Sequence, residues 1–286
     1  MGRLILGIDA GNHKAKIVGP YGVDIFRTAV CDWFERNVIE KHGDDDMEFE
    51  IDGRKGFAGP IAAVEDEFGG GSMFGESKAH DDNKVRILLS LHRYINKYCP
   101  GDKTISLVTG QPFVSHKSDE KESIRSMLIG PHEFMVNGRV QRLHIMDVRV
   151  APEGAGAYWS NPKAGEIRIL DVGSATVNAC TISNKRVVNS FSNTFNFGME
   201  TVSDKDIARI ARGIKNKTTE LKWKKTDKVF VCGGVAEEIL PHIAEHYQMA
   251  QVLVPQYRKG EGRVTHLQPV FANAVGFYEL AKGAFG

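Results

Sequence analysis

The sequence predicts an α/β protein built as two related lobes around a central cleft, and three observations carry that expectation. A strand–turn–strand unit at 4–18, LILGIDAGNHKAKIV, recurs in outline at 168–182, RILDVGSATVNACTI; each has an apolar strand, an Asp, and a glycine-containing turn with small hydroxyl or amide residues. Strands and helices alternate through both halves of the chain, a pattern that packs as α/β layers. At 286 residues the chain can bury a sizeable core, and two domains is the expectation.

Taken in order, residues 3–9 and 14–19 read as an opening hairpin. Residues 23–60 read as irregular, with a solvated acidic run at Asp44, Asp45 and Asp46, then the alternating MEFEIDG of a short strand with one wet face. GGGSMFGESK (69–78) lacks the Gly-Lys-Ser/Thr that opens the helix of a phosphate loop, so it reads as a flexible surface loop. NKVRILLSLHRYINKYC (83–99) has helical apolar spacing and stops at Pro100 and Gly101. TISLVTG (104–110) then reads as a buried strand and DEKESIRSMLIG (119–130) as a helix closed by Gly130. A second half begins near Pro152, with the repeated hairpin at 166–182 and a further strand at 185–191. SDKDIARIARGIKNK (203–217) reads as an amphipathic helix capped by Ser203, with Asp206 three residues on in the manner of a capping box. KVFVCGG (228–234) is a strand leading into a helix from Ala236, VLVPQ (252–256) another strand, and the last helix starts at about Phe271.

The two turns carry the chemistry. Gly11 and Gly173 allow a positive φ and a close approach to an anion, and successive N–H groups in such turns form anion-binding concavities. Asp9 and Asp171 suit a hydrated Mg²⁺, which meets a site through one or two carboxylates plus phosphates. Either unit alone is also what an ordinary hairpin looks like, since Asp and Gly are common in turns; the pair suggests one nucleotide held from opposite sides.

Composition narrows the partners. With 37 basic against 36 acidic residues the net charge is +1, so no global field marks a DNA coat or membrane-surface protein, and direct DNA binding is not expected. Cys31, Cys99, Cys180 and Cys232 have no metal spacing and read as small hydrophobes in a reducing compartment. The ten histidines form no HExxH or other ligand pattern. No run approaches the length of a membrane span and the N-terminus lacks a signal-peptide core, so a soluble cytoplasmic protein is expected.

Five ordered motifs resemble those of the actin-like ATPases, and within them the bacterial plasmid-segregation actins of the ParM type. IDAGNHKAK resembles the phosphate-1 motif, LDVGSATVN the phosphate-2 motif and VFVCGGVAEEI (229–239) the adenosine motif; VAPEGAGAYW (150–159) and PVFANAVGFYELAKG (269–283) resemble the two connecting helices. LVTGQPFVSHK (107–117) and PHEFMVNGRVQRLHIMDVRV (131–150) also read like the first lobe of such proteins. The resemblance implies a ribonuclease H-like pair of lobes with a nucleotide cleft between them. Residues 1–150 would be the first lobe, subdomain IA with IB inserted at about 28–78; 151–286 would be the second, with the last helix packing back toward the first. Residues 199–232 leave no room for a full subdomain IIB, so the second lobe is reduced, as in the AlfA type.

The resemblance also implies roles. Asp9, Gly11, Asn12 and Lys16 match phosphate-1 groups, and Gly173, Ser174 and Thr176 phosphate-2 groups. Lys14 shares a strand face with Lys16, and only the resemblance chooses between them. Glu153 would orient the hydrolytic water and open a connecting helix, where a carboxylate also suits the helix dipole. Asp171 would polarise water or hold Mg²⁺ with Asp9, through water. Gly233 and Gly234 would approach the adenosine, Gly198 and Glu200 border the ribose, and Lys215 contact the base, unless Lys215 is one more solvated lysine at a helix end. The implied function is an ATPase, with GTP as the alternative nucleotide, that forms filaments through head-to-tail contacts that do not close. Such filaments segregate plasmid DNA through an adaptor bound at a centromere-like site. The basic run Lys222, Trp223, Lys224, Lys225 reads as a solvated turn with its Trp packed inward, or as a contact for DNA, the adaptor or a neighbouring protomer. A small-molecule kinase of the type III pantothenate kinase kind also begins with a DxGNxxxK-like turn, but it needs an acceptor-activating carboxylate beyond those assigned above. A nucleotide-binding scaffold without turnover is the third class, and Glu153 argues against it.

Overall fold

The computed structural model describes residues 3–38, 43, 45–65 and 78–286; Asp44 and residues 69–77 of the glycine-rich stretch therefore lie outside the described residues. An antiparallel meander of β1 (Arg3–Ala10), β2 (Lys14–Gly19) and β3 (Gly22–Arg27) starts the first sheet, followed by β4 (Val30–Asp32), β5 (Met47–Ile51) and β6 (Arg54–Ala58). Helices α1 (Pro60–Glu65) and α2 (Asp81–Tyr98) precede β7 (Lys103–Gln111), α3 (Ser118–Leu128), β8 (Gly130–Val136) and the long β9 (Arg139–Pro152). These strands form one nine-stranded sheet in the order β3-β2-β1-β7-β9-β8-β5-β6-β4, with β1, β7 and β9 parallel.

Parallel central strands are covered on both faces, which explains the apolar runs of β1 and β7. On one side Leu4, Leu6 and Ile8 join Val85, Leu88 and Leu91 of α2 in a single core. On the other lies the C-terminal helix α6, whose Phe277 and Ala281 pack with Val108 of β7. A Cβ on Gly7 would fall 2.2 Å from the Tyr278 backbone nitrogen, so α6 rests directly on the backbone of β1.

The second sheet takes β10 (Ile167–Val172), β11 (Val177–Ser183), β12 (Arg186–Val187), β13 (Asn193–Phe195), β14 (Val229–Gly233) and β15 (Gln251–Val252). Its core is closed by α4 (Ile207–Glu220) and α5 (Ala236–Ala244), through Ile210, Ile214, Ile239 and Ile243. A two-stranded ribbon, β16 (Gln256–Arg258) with β17 (Val264–His266), leads into α6 (Ala272–Phe285). The repeat read in the sequence is present in three dimensions: β1 pairs antiparallel with β2 and parallel with β7, as β10 does with β11 and β14. The fold is α/β, built on two related sheets.

Several local expectations need correction. The 23–60 stretch is less irregular than expected: GVDIFR buries alternate residues as β3, β4 and β6 are further short strands, and the strand read at MEFEIDG is present as β5. The acidic run is not simply solvated, because Asp45 pairs with Arg93 at 2.7 Å and Asp46 Oδ1 accepts from the Ile61 amide at the start of α1, at 2.8 Å. No α-helix starts at Glu153. Gly154 is left-handed at φ 73°, and a Cβ at Gly156 would lie 2.3 Å from the Phe277 ring, so 156–160 forms only a 3-10 turn. The helix expected from Ser203 begins at Ile207, since Asp204 and Lys205 are left-handed; Asp206 caps it by accepting from the Ala208 and Arg209 amides. The strand expected at 185–191 pairs only at Arg186–Val187 before a 3-10 turn, and that at 252–256 is split, Val252 ending β15 and Gln256 opening β16 with Pro255 between them.

Candidate functional site

A cleft of about 670 Å³ opens between the ends of the two sheets, and both repeated turns face it. On the first side, Lys16 Nζ lies 3.1 Å from Asp9 Oδ2, both largely buried, while Lys14 on the same strand is exposed. This geometric difference separates two lysines that strand periodicity left equivalent. Arg86 of α2 donates to Asn12 Oδ1 at 3.0 Å, and the Thr28 hydroxyl donates to the Gly11 carbonyl at 2.7 Å, so the turn is braced from behind. A Cβ on Gly11 would come 2.8 Å from the Lys14 carbonyl; the turn closes this tightly only with glycine.

The second turn is closed by Gly173 N–H to the Thr176 carbonyl at 3.0 Å, and segment 198–200 is tied to it. The Met199 and Glu200 amides donate to the Gly173 and Ser174 carbonyls at 3.1 and 2.7 Å. Gly198 sits behind the lining, with room only for hydrogen, as a Cβ would lie 2.6 Å from both of those carbonyls. Glu200 faces the cleft and pairs with Lys205 at 2.7 Å, whose hydrogen bond holds the Glu200 carboxyl below its usual range. Gly233 is left-handed at φ 102° and turns the chain from β14 toward α5, leaving Gly234 open to the cleft.

Three carboxylates converge at the floor. Asp171, at the end of β10, accepts from Asn273 Nδ2 at 2.9 Å and from Asn178 Nδ2 at 3.4 Å. Burial, with the nearby charges of Asp9 and Glu153, raises its pKa to about 6. Glu153 continues the ladder past β9, its amide bonded to the Gln111 carbonyl at 2.8 Å, which aims its side chain inward. There it forms a buried ion pair with Lys78 and receives Asn178 Nδ2 at 3.4 Å. Burial alone would lower the Lys78 pKa, but the charges of Glu153 and Asp9 outweigh it and raise it.

The structure thus brings Asp9, Gly11, Asn12, Lys16, Glu153, Asp171, Gly173, Ser174, Thr176, Glu200, Gly233 and Gly234 to one cleft. Lys215 is not brought there; it lies on α4, its Nζ 3.5 Å from Glu245, the residue that follows α5. Sequence reasoning missed Lys78, Asn178, Asn273, Lys205 and the cleft-lining His13 and His80. Asn178 and Asn273 fall inside the quoted motifs and could have been taken as polar residues in otherwise apolar runs; Lys78 closes a glycine-rich stretch and carries no such signal.

Among the described residues no group of three or more His, Cys, Asp or Glu is placed to hold a metal. Two carboxylates, Asp9 and Asp171, in a cleft walled by amide-rich turns fit an ion that arrives with phosphates and keeps its waters, as Mg²⁺ does. Among the described residues no helix is long and apolar enough to cross a membrane.

The solved structures similar to this chain include the AlfA filament bound to AMPPNP, 18% identical with a TM-score of 0.76, covering 99% of each chain. The filament of AlfA from B. subtilis plasmid pLS32 is 20% identical, TM-score 0.76, covering 96% of this chain and 97% of that one. A 15-stranded ParM filament from Clostridium botulinum is 19% identical, TM-score 0.74, covering 99% and 100%. No curated protein matches the sequence. The profile of the actin-like proteins' N-terminal domain matches residues 7–156, just over half of the sequence, and the chain therefore belongs to the actin-like proteins.

Proposed function

We propose that this chain binds and hydrolyses ATP with Mg²⁺ and assembles, under control of that nucleotide, into filaments that move plasmid DNA through a DNA-bound adaptor. The observation that carries the nucleotide reading is the convergence of two glycine turns on one cleft whose floor holds Asp9, Glu153 and Asp171. Likeness to filament structures, one of them bound to AMPPNP, supports the choice of ATP and of self-assembly.

The turn amides at Gly11, Asn12 and Ser174 would receive the phosphates, and Lys16 would add positive charge beside them. When bound, Mg²⁺ supplies charge neutralisation on the outer phosphate oxygens. Hydrolysis forms a bond from the water oxygen to the γ-phosphorus and breaks the bond to the β,γ-bridging oxygen, which leaves on ADP. Glu153 would orient that water by accepting a hydrogen bond from it, the water's proton ending on the released phosphate, and Asp171 would hold the ion together with Asp9. Positioning and charge neutralisation account for most of such a reaction. Gly233 and Gly234 would let the adenosine lie against the start of α5, while Glu200 and Lys205 would border the ribose side, with Gly198 supporting that segment from behind.

Light scattering with ATP and Mg²⁺, followed by electron microscopy, tests the reading. Scattering should rise on addition of both and the grids should show filaments; no rise with ATP, and none with GTP, would reject it.

A further inference from the structure

We propose that Lys78 is the ligand of the terminal phosphate of ATP, and that in its absence Lys78 holds Glu153 in check. The inference rests on ATP being the cleft's ligand, as proposed above. Lys78 is buried at 8% exposure, lines the cleft, and has its ammonium on Glu153 Oε1. Its backbone is fixed at both ends: its amide donates to Gln111 Oε1 at 3.1 Å, and its carbonyl accepts from Asn83 Nδ2, in the first turn of α2, at 2.7 Å. A fixed stem with a long flexible side chain can exchange partners without moving the fold.

Charge placement says which partner. Lys16 is committed to Asp9. Arg86 is buried beneath the first turn, and among the described residues its Nη2 has no hydrogen-bond partner, so positive potential lies behind that turn without a bonded carboxylate. A terminal phosphate entering beside Glu153 would bring like charges together in a site of low dielectric, where repulsion is strong unless a cation stands between them. Lys78 is the cation already there. ADP has no group at that position and leaves the ion pair intact; ATP draws Lys78 away and frees Oε1 of Glu153 to accept from water. Lys78 would then bind ATP in preference to ADP and expose the water-orienting carboxylate only when there is a phosphate to attack.

The test is calorimetric titration of AMPPNP and of ADP, each with Mg²⁺, into wild type, Lys78→Met, Lys78→Arg, Glu153→Gln and the Glu153→Gln/Lys78→Met double variant. One charge-assisted hydrogen bond is worth about 10- to 100-fold in affinity. Lys78→Met should weaken AMPPNP by about that factor while ADP changes by less than about threefold, and Lys78→Arg should restore most of the difference. Glu153→Gln releases Lys78 from its partner and should raise the AMPPNP-to-ADP preference; the double variant should lose it. The double variant also avoids an unpaired buried carboxylate, so it serves if Lys78→Met folds poorly. Equal effects on both nucleotides, or none, would make Lys78 a structural strut and overturn the proposal. Failure of wild type to bind either nucleotide would instead reject the ATP reading itself, and the Lys78 proposal with it.

Discussion

Asn273 of the C-terminal helix donates its Nδ2 to Asp171 Oδ2 at 2.9 Å, while its own Oδ1 accepts from the Gly154 amide at 3.0 Å. One buried side chain therefore ties the carboxylate ending β10 to the turn that presents Glu153. Asn273→Ala removes both bonds and leaves a buried amide and a buried carboxylate short of partners. A loss of about 2 kcal/mol is expected, or roughly 3–4 °C in Tm for a chain of this size. Scanning calorimetry checks it; an unchanged Tm would mean that water replaces the amide without cost.

Asp171 gives a pH signature. Its pKa is raised to about 6 in the folded state against an ordinary 3.8, chiefly by burial. Between those values the folded chain holds more protons than the unfolded one, so this group's contribution to stability is present below about pH 4 and is lost as pH rises through about 6. Asp171→Asn in the nucleotide-free protein should therefore gain on the order of 2 kcal/mol over wild type at neutral pH and nothing near pH 4. Denaturant midpoints across pH 4–8 measure the difference, and a variant less stable than wild type at pH 7.5 would show that the aspartate's hydrogen bonds outweigh its burial.

Glu153→Gln keeps the side chain's shape and its contact with Asn178 but removes the charge proposed to orient water. Nucleotide should still bind and filaments should still form, with turnover slowed on the order of 100-fold and filaments correspondingly longer-lived. Phosphate release from assembled protein reads this directly. An unchanged rate would leave Glu153 only its part in the ion pair with Lys78.

The basic turn divides into a packed half and a free half. Trp223 is buried and donates its indole N–H to the Phe191 carbonyl at 3.0 Å, whereas Lys222, Lys224 and Lys225 are exposed. Replacing the three lysines by Ser should leave Tm nearly unchanged while raising the critical concentration for assembly. Added salt should raise it in wild type and do less in the variant, because exposed charge pairs are screened beyond a Debye length of about 8 Å. Asp45 and Asp46 are engaged within their own chain, so the acidic partner should be sought elsewhere on a neighbour. An unchanged critical concentration with lost binding to partition-complex DNA would assign the lysines to the adaptor instead.

How much of this was legible follows from the range of the interactions. Asp9, Gly11, Asp171 and Gly173 could be read because a glycine turn after an apolar strand is a local pattern, and it occurs twice. Segment 199–232 likewise announced by its length that it holds little more than α4. Lys78 and Asn273 could not be placed, because they reach Glu153 and Asp171 across 75 and 102 residues of sequence. The helix expected at Glu153 failed for a similar reason: Phe277 of α6 and the left-handed Gly154 allow only a 3-10 turn, and neither contact is visible in EGAGAYW. Helix α4 starts three residues later than expected because Asp206 caps it and the two residues before Asp206, Asp204 and Lys205, are left-handed.

The most direct test of the cleft as a metal–nucleotide site is calorimetric titration of ATP, with and without Mg²⁺, into wild type, Asp9→Ala and Asp171→Ala. Each variant removes one of the two carboxylates proposed to face the metal and phosphate charge. The expected result is Mg²⁺-dependent binding to wild type that falls by at least about tenfold in each variant; near-normal affinity in both would contradict it.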